Sequence, residues 1–75
     1  MCLALPGCVV ETRGAELERS ARVSFAGTLK DVSLAFVPEA VVGDYVLVHA
    51  GFAIARIDEK KARALFEEIG VEYEP

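Results

Sequence analysis

Tryptophan is absent from this chain of 75 residues, histidine and methionine occur once each, and there are two cysteines. Each shortage removes a class of explanation. A disulfide scaffold needs several well-spaced pairs, whereas Cys2 and Cys8 lie near one end and would close at most a small local loop. Free thiols are the better reading. Cys2 and Cys8 do not form a close C-x-x-C pair, and two thiols with one imidazole fall short of the four protein ligands of a structural zinc site. Any metal held here is therefore left open or shared with a partner.

Positive charge is also scarce. Eight Lys and Arg against twelve Asp and Glu leave a net charge of -4, with a pI near 4.8. The basic residues are scattered from Arg13 to Arg63, so the electrostatic term behind most nucleic-acid affinity is missing, and DNA, RNA and anionic membranes are poor partners. No stretch approaches the roughly 20 apolar residues of a membrane span. The apolar segment from Met1 to Val10 lacks a positively charged start and is too short for a signal peptide, so a cytoplasmic location is expected. Nor is there a glycine-rich phosphate loop, a paired-carboxylate site or a Ser-His-Asp set, which argues against an autonomous enzyme.

What is present is apolar content, 53% of the chain. A chain this short removes only about 60% of its unfolded surface from water, so it is expected to form one marginally stable, densely packed domain. Leu3 and Leu5 alternate with smaller neighbours, Pro6-Gly7 predicts a kink, and Cys8 to Glu11 resumes an extended pattern. After a polar connection, Ala21, Val23 and Phe25 alternate with Arg22 and Ser24 as in a half-buried strand. Ala26-Gly27-Thr28 reads as a hairpin turn, with Val32, Leu34 and Phe36 keeping period two beyond it, so a meander is predicted. Pro38 breaks that strand and Gly43-Asp44 marks a turn. Tyr45 to Val48 is apolar at both parities, as in a strand covered on both sides. Gly51 then suggests a kink or bulge before a last strand from Phe52 to Ile57.

Asp58 is a good N-cap, and Ala62, Leu65, Phe66 and Ile69 share one face at helical spacing. Gly70 and Val71 suit a Schellman ending. Five short strands and one helix predict a mainly β fold: a small OB-like antiparallel barrel over residues 2–57, a helix over 58–69 across one opening, and a tail over 70–75.

Four features stand apart from the packing pattern. If the initiating methionine is trimmed, Cys2 carries a free amine beside its thiol, and the ammonium favours the thiolate, a soft ligand for iron, zinc or copper(I). The alternative is a small apolar residue tucked under the first strand. His49, on the parity of Tyr45 and Leu47, is either a packed ring hydrogen-bonded to backbone or a metal ligand or proton donor at the barrel rim. Cys8 reads as structural. Glu67, Glu68, Glu72 and Glu74 form either a solvated tail or a surface for a basic partner.

Two segments, M-C-L-A-L-P-G at the start and G-D-Y-V-L-V-H-A-G-F-A-I over 43–54, together resemble the HypC/HupF family of small chaperones for [NiFe]-hydrogenase maturation. V-S-F-A-G-T-L-K-D-V-S-L over 23–34 is similar to the family's strand-Gly-strand segment, and I-D-E over 57–59 to the opening of its helix, so the likeness spans nearly the whole chain. The resemblance implies an OB-like barrel with a C-terminal helix and a complex with a HypD-type iron-sulfur scaffold protein. It further implies transient carriage of iron as Fe(CN)2CO and its delivery to the precursor of the hydrogenase large subunit. The family's essential cysteine corresponds to Cys2 and its histidine to His49, which the resemblance makes candidate iron ligands. Partner contacts are implied at Cys2, Leu3, Pro6, Gly7 and Cys8 in the leading segment, and at His49, Gly51 and Phe52. At Cys8 the chain departs from the family, which usually has a long polar residue there, so Cys8 either alters the pairing or offers a further thiolate near the iron.

Two other readings compete. An OB-type nucleic-acid binder would stack bases on Phe25, Phe36, Tyr45 and Phe52, most of which read better as core. A thiol redox or zinc protein would use Cys2 and Cys8.

Overall fold

The computed structural model describes residues 4–68. Five strands, β1 (Leu5–Arg13), β2 (Ser20–Phe25), β3 (Thr28–Ser33), β4 (Tyr45–His49) and β5 (Phe52–Ile57), are followed by one helix, α1 (Glu59–Glu68). They close into a barrel in the order β1-β2-β3-β5-β4, an OB-type arrangement. Three strands form the predicted meander. β4 then crosses to lie beside β1, and β5 returns antiparallel to β4 and meets β3 at the single parallel pair Ser33↔Phe52.

β1 runs unbroken through Pro6-Gly7 rather than ending or kinking there. The register explains why proline is tolerated. Val9 donates to the Asp44 carbonyl at 2.9 Å, so from Leu5 to Val9 the odd-numbered residues of β1 bond toward β4 and the even-numbered ones toward β2. β2 ends at Phe25, which leaves no ladder partner opposite Pro6 to lose. The irregularity of β1 falls at Val10 instead, between the pairs Val9↔Val23 and Glu11↔Arg22. Glycine at position 7 serves packing. A Cβ there would stand 2.4 Å from Val23 Cγ1 and 3.0 Å from the Phe25 ring.

β3 stops at Ser33, so Leu34 and Phe36 are not strand residues despite their alternation. Ser33 Oγ accepts a hydrogen bond from the Ala35 amide at 3.2 Å, and Val37 and Ala40 donate in turn to the carbonyls of Leu34 and Val37. These successive turns carry Leu34, Val37 and Ala40 into the barrel's core beside Val9, Val23, Val32 and Val46. Thus the loop over 34–44 fills the interior. α1 does not cross an opening. Ala62 and Phe66 pack in a separate cluster against Cys8, Tyr45 and Ile57, on the outward side of the wall. Asp58 caps the helix by accepting the Lys61 amide at 2.7 Å, and the Glu59–Arg63 pair closes at 2.8 Å on its exposed face. The proposed Schellman ending and the tail lie outside the described residues.

Candidate functional site

The β4–β5 connection is a two-residue hairpin. His49 pairs with Phe52, and Ala50 and Gly51 between them both have positive φ, 53° and 85°, the requirement of a type I′ turn. Gly51 therefore makes the turn itself. The bulge predicted beside it falls further along, between Leu47 and Val48, where Ile54 is the extra residue on β5.

This hairpin fixes the direction of the candidate site. Val46, Val48 and Ala53 point into the core, whereas Tyr45 and Ile57 face outward under α1. On the same outward parity, Cys8 is opposite Tyr45 and Pro6 is opposite Leu47. Continuing that face along β4 reaches His49 and its cross-strand partner Phe52 at the hairpin tip. The face thus passes from helix-covered to bare within one strand, a rise of roughly 3.4 Å per residue.

At the bare end His49 is half-buried. Among the described residues its ring has no hydrogen-bond partner, backbone or side chain. Phe52 is 43% exposed and Phe36 66%, and their rings meet with centroids 5.5 Å apart and planes tilted by 45°, a favourable arrangement. Of the four aromatics considered for base stacking, Tyr45 is buried and Phe25 half-buried, while Phe36 and Phe52 are exposed.

The leading segment divides. Cys2 and Leu3 lie outside the described residues. Pro6 and Gly7 are buried. Cys8 is 8% exposed and packed beneath α1; burial raises its thiol pKa, with the carboxylates of Asp44 and Glu59 adding to the effect. A thiol held protonated in this way is a poor metal ligand and nucleophile. No group of three or more potential ligands among His, Cys, Asp and Glu is assembled among the described residues. No described helix is long and apolar enough to cross a membrane.

Sequence reasoning missed two contributors. Asp44 read only as a turn residue. Its carboxylate accepts the Val41 amide at 2.9 Å and meets Arg56 Nε at 3.4 Å, while its carbonyl holds Val9, so it locks the entry of β4. The spacing Val41 to Asp44 around Gly43 was the available signal. Phe36 was misplaced on a strand, and nothing in its alternation distinguishes it from one.

The model of the HupF/HypC family matches residues 1–69. A curated hydrogenase maturation factor HypC from Synechocystis is 54% identical over 65 residues, 84% of this chain and 86% of that protein. HypC of Cupriavidus necator is 43% identical over 72 residues, 92% of this chain and 77% of its own. The hydrogenase maturation factor HybG of Escherichia coli is 36% identical over 73 residues, 92% and 88% respectively.

Proposed function

The chain belongs to the HupF/HypC family, and on that premise we propose that it is a cytoplasmic, non-enzymatic metallochaperone of hydrogenase maturation. Its cargo is iron as Fe(CN)2CO, held jointly with a HypD-type scaffold protein and delivered to the precursor of the [NiFe]-hydrogenase large subunit. Nucleic acid and membrane have no part in this role.

The observation that carries the reading is His49, half-buried and without a protein hydrogen-bond partner among the described residues, at the bare end of the wall. Register supports it further. Leu5 pairs with Val48, so β1 enters beside the His49 end of β4, and Cys2 precedes Ala4 by two residues, a reach of at most about 7 Å. A thiolate and an imidazole drawn from these two positions suit an iron whose remaining positions are filled by cyanide, carbon monoxide and a partner's donors. Two donors are also few enough to exchange, and release needs ligand substitution only, with no change in oxidation state. Cys8, a buried thiol beneath α1, takes no part in holding iron. Phe52 with Phe36 offers the partner an apolar anchor next to the metal.

The test is anaerobic co-purification with the scaffold protein followed by infrared spectroscopy of the cyanide and carbon monoxide stretches. Wild-type complex should carry the bands, and Cys2→Ala should lose them and hydrogenase maturation while keeping its circular dichroism spectrum. A Cys2→Ala chain that still carries the bands and supports maturation ends the proposal.

A further inference from the structure

The barrel is closed least securely between β3 and β5, where Ser33↔Phe52 is the only ladder pair. The β2–β3 hairpin fixes which way β3's backbone groups point. Phe25 and Thr28 flank the two-residue turn Ala26-Gly27, and such flanking residues bond to each other. Thr28, Lys30 and Val32 therefore bond back to β2, while Leu29, Asp31 and Ser33 present N–H and C=O groups on the other side. Ser33 confirms the parity by donating to the Gly51 carbonyl at 2.9 Å. Leu29 and Asp31 have no ladder partner among the described residues.

Beside this free edge lies a cleft of about 440 Å3, with Leu5, Phe25, Val32 and Val48 among its apolar lining and Lys30 contributing the cation. The neighbouring Asp31 is matched by Arg22 at 3.4 Å, whereas Lys30 has no carboxylate partner among the described residues. Unpaired backbone donors and acceptors, an apolar trough and one unmatched positive charge thus lie together.

We infer that this seam is a strand-addition site for an extended segment of a protein partner. The incoming backbone pairs with Leu29 and Asp31 and turns one face into the trough; on that face apolar side chains flank a carboxylate set against Lys30, which shares the parity of Val32. The cleft reaches the β4–β5 turn at Val48, Ala50 and Gly51, but the strand addition uses neither the His49 ring nor iron carriage.

The test titrates the isotope-labelled full chain with millimolar end-blocked pentapeptides Val-Thr-Glu-Thr-Val or Val-Thr-Lys-Thr-Val, whose apolar and charged side chains share one face. The acidic peptide should shift the Leu29 and Asp31 amides and slow their hydrogen exchange on the order of tenfold, and the basic peptide should bind more weakly. Leu29→Pro removes one outward N–H without touching a bond to β2, a position where an edge strand accepts proline, and should abolish the response. Lys30→Glu should reverse the preference between the two peptides, which tests the site even if the proline variant fails to fold. Unchanged amides, equal response to both peptides in the wild type, or undiminished binding by a folded Leu29→Pro chain overturns the inference. So does appearance of the same shifts on concentrating the chain alone, which would make a second copy the occupant.

Discussion

The outer face of the wall made by β1, β4 and β5 has two halves built from the same strands. At one end Cys8, Tyr45 and Ile57 lie beneath Ala62 and Phe66 of α1; at the other, His49 and Phe52 stand at the hairpin tip, with the Phe36 ring against Phe52. The register places both halves on one parity, so what separates them is coverage rather than local conformation. Under the helix a cysteine loses its chemistry, because burial and two carboxylates favour the neutral thiol. Beyond the helix a histidine ring has no hydrogen-bond partner among the described residues. A single amphipathic helix thereby sorts equivalent outward positions into a covered cluster and a candidate site.

The largest effect that would break this division is removal of its cover. Phe66 is 2% exposed, and Phe66→Ala should destabilise by about 3–5 kcal/mol, enough to unfold much of the population of so small a domain. His49→Ala should stay within about 0.5 kcal/mol of wild type yet lose hydrogenase maturation. Urea denaturation with a parallel maturation assay reads both, and a large stability loss at His49 would erase the distinction between the halves.

The cysteine supplies a second contrast. In a Cys2→Ser chain, Cys8 should react with iodoacetamide on the order of tenfold more slowly than in denaturant. Its folded pKa is raised above the ordinary thiol range, first by burial and then by the carboxylates of Asp44 and Glu59, so the folded state retains the proton longer than the unfolded one. The resulting stability is complete below about pH 9 and declines as pH rises through the folded value. Thermal melts from neutral pH upward should therefore show a steeper alkaline decline for Cys2→Ser than for Cys2→Ser with Cys8→Ala. Parallel curves would mean that Cys8 is not held neutral by the fold.

The sequence makes this division legible only in part. Alternation at Ala21, Val23 and Phe25, the cap at Asp58 and the helical spacing of Ala62, Leu65 and Phe66 are local signals, and they specify strands and helix. The pairing of β1 with β4 is not local, so Cys8, read as structural from the sequence, could not be given its place opposite Tyr45 before the register was known. Leu34 and Phe36 mimic a strand because residues two apart share a face in a strand, and the side-chain bond from Ser33 that ends β3 leaves that pattern intact. His49 stood out as the only histidine, but its freedom from backbone bonds depends on where β4 ends. The helix across an opening was misplaced for a related reason: apolar spacing identifies a buried face without naming what buries it.

The smallest contrast uses a repeated element. Both hairpin turns are Ala-Gly, and Ala26 and Ala50 have the same φ of 53°, a left-handed conformation costly for a residue with a Cβ. Asparagine is favoured at this position of a type I′ turn. Ala50 is exposed at the bare tip, so Ala50→Asn should stabilise by about 0.5–1 kcal/mol. Ala26 instead packs against the cluster beneath α1, so Ala26→Asn gains the same backbone relief but places an amide against Cys8, Tyr45 and Phe66. Its net gain should be smaller or absent. Equal midpoints for the two variants in urea would show that the helix's apolar cluster does not extend to the β2–β3 turn, and would move the border between covered and bare surface toward β1.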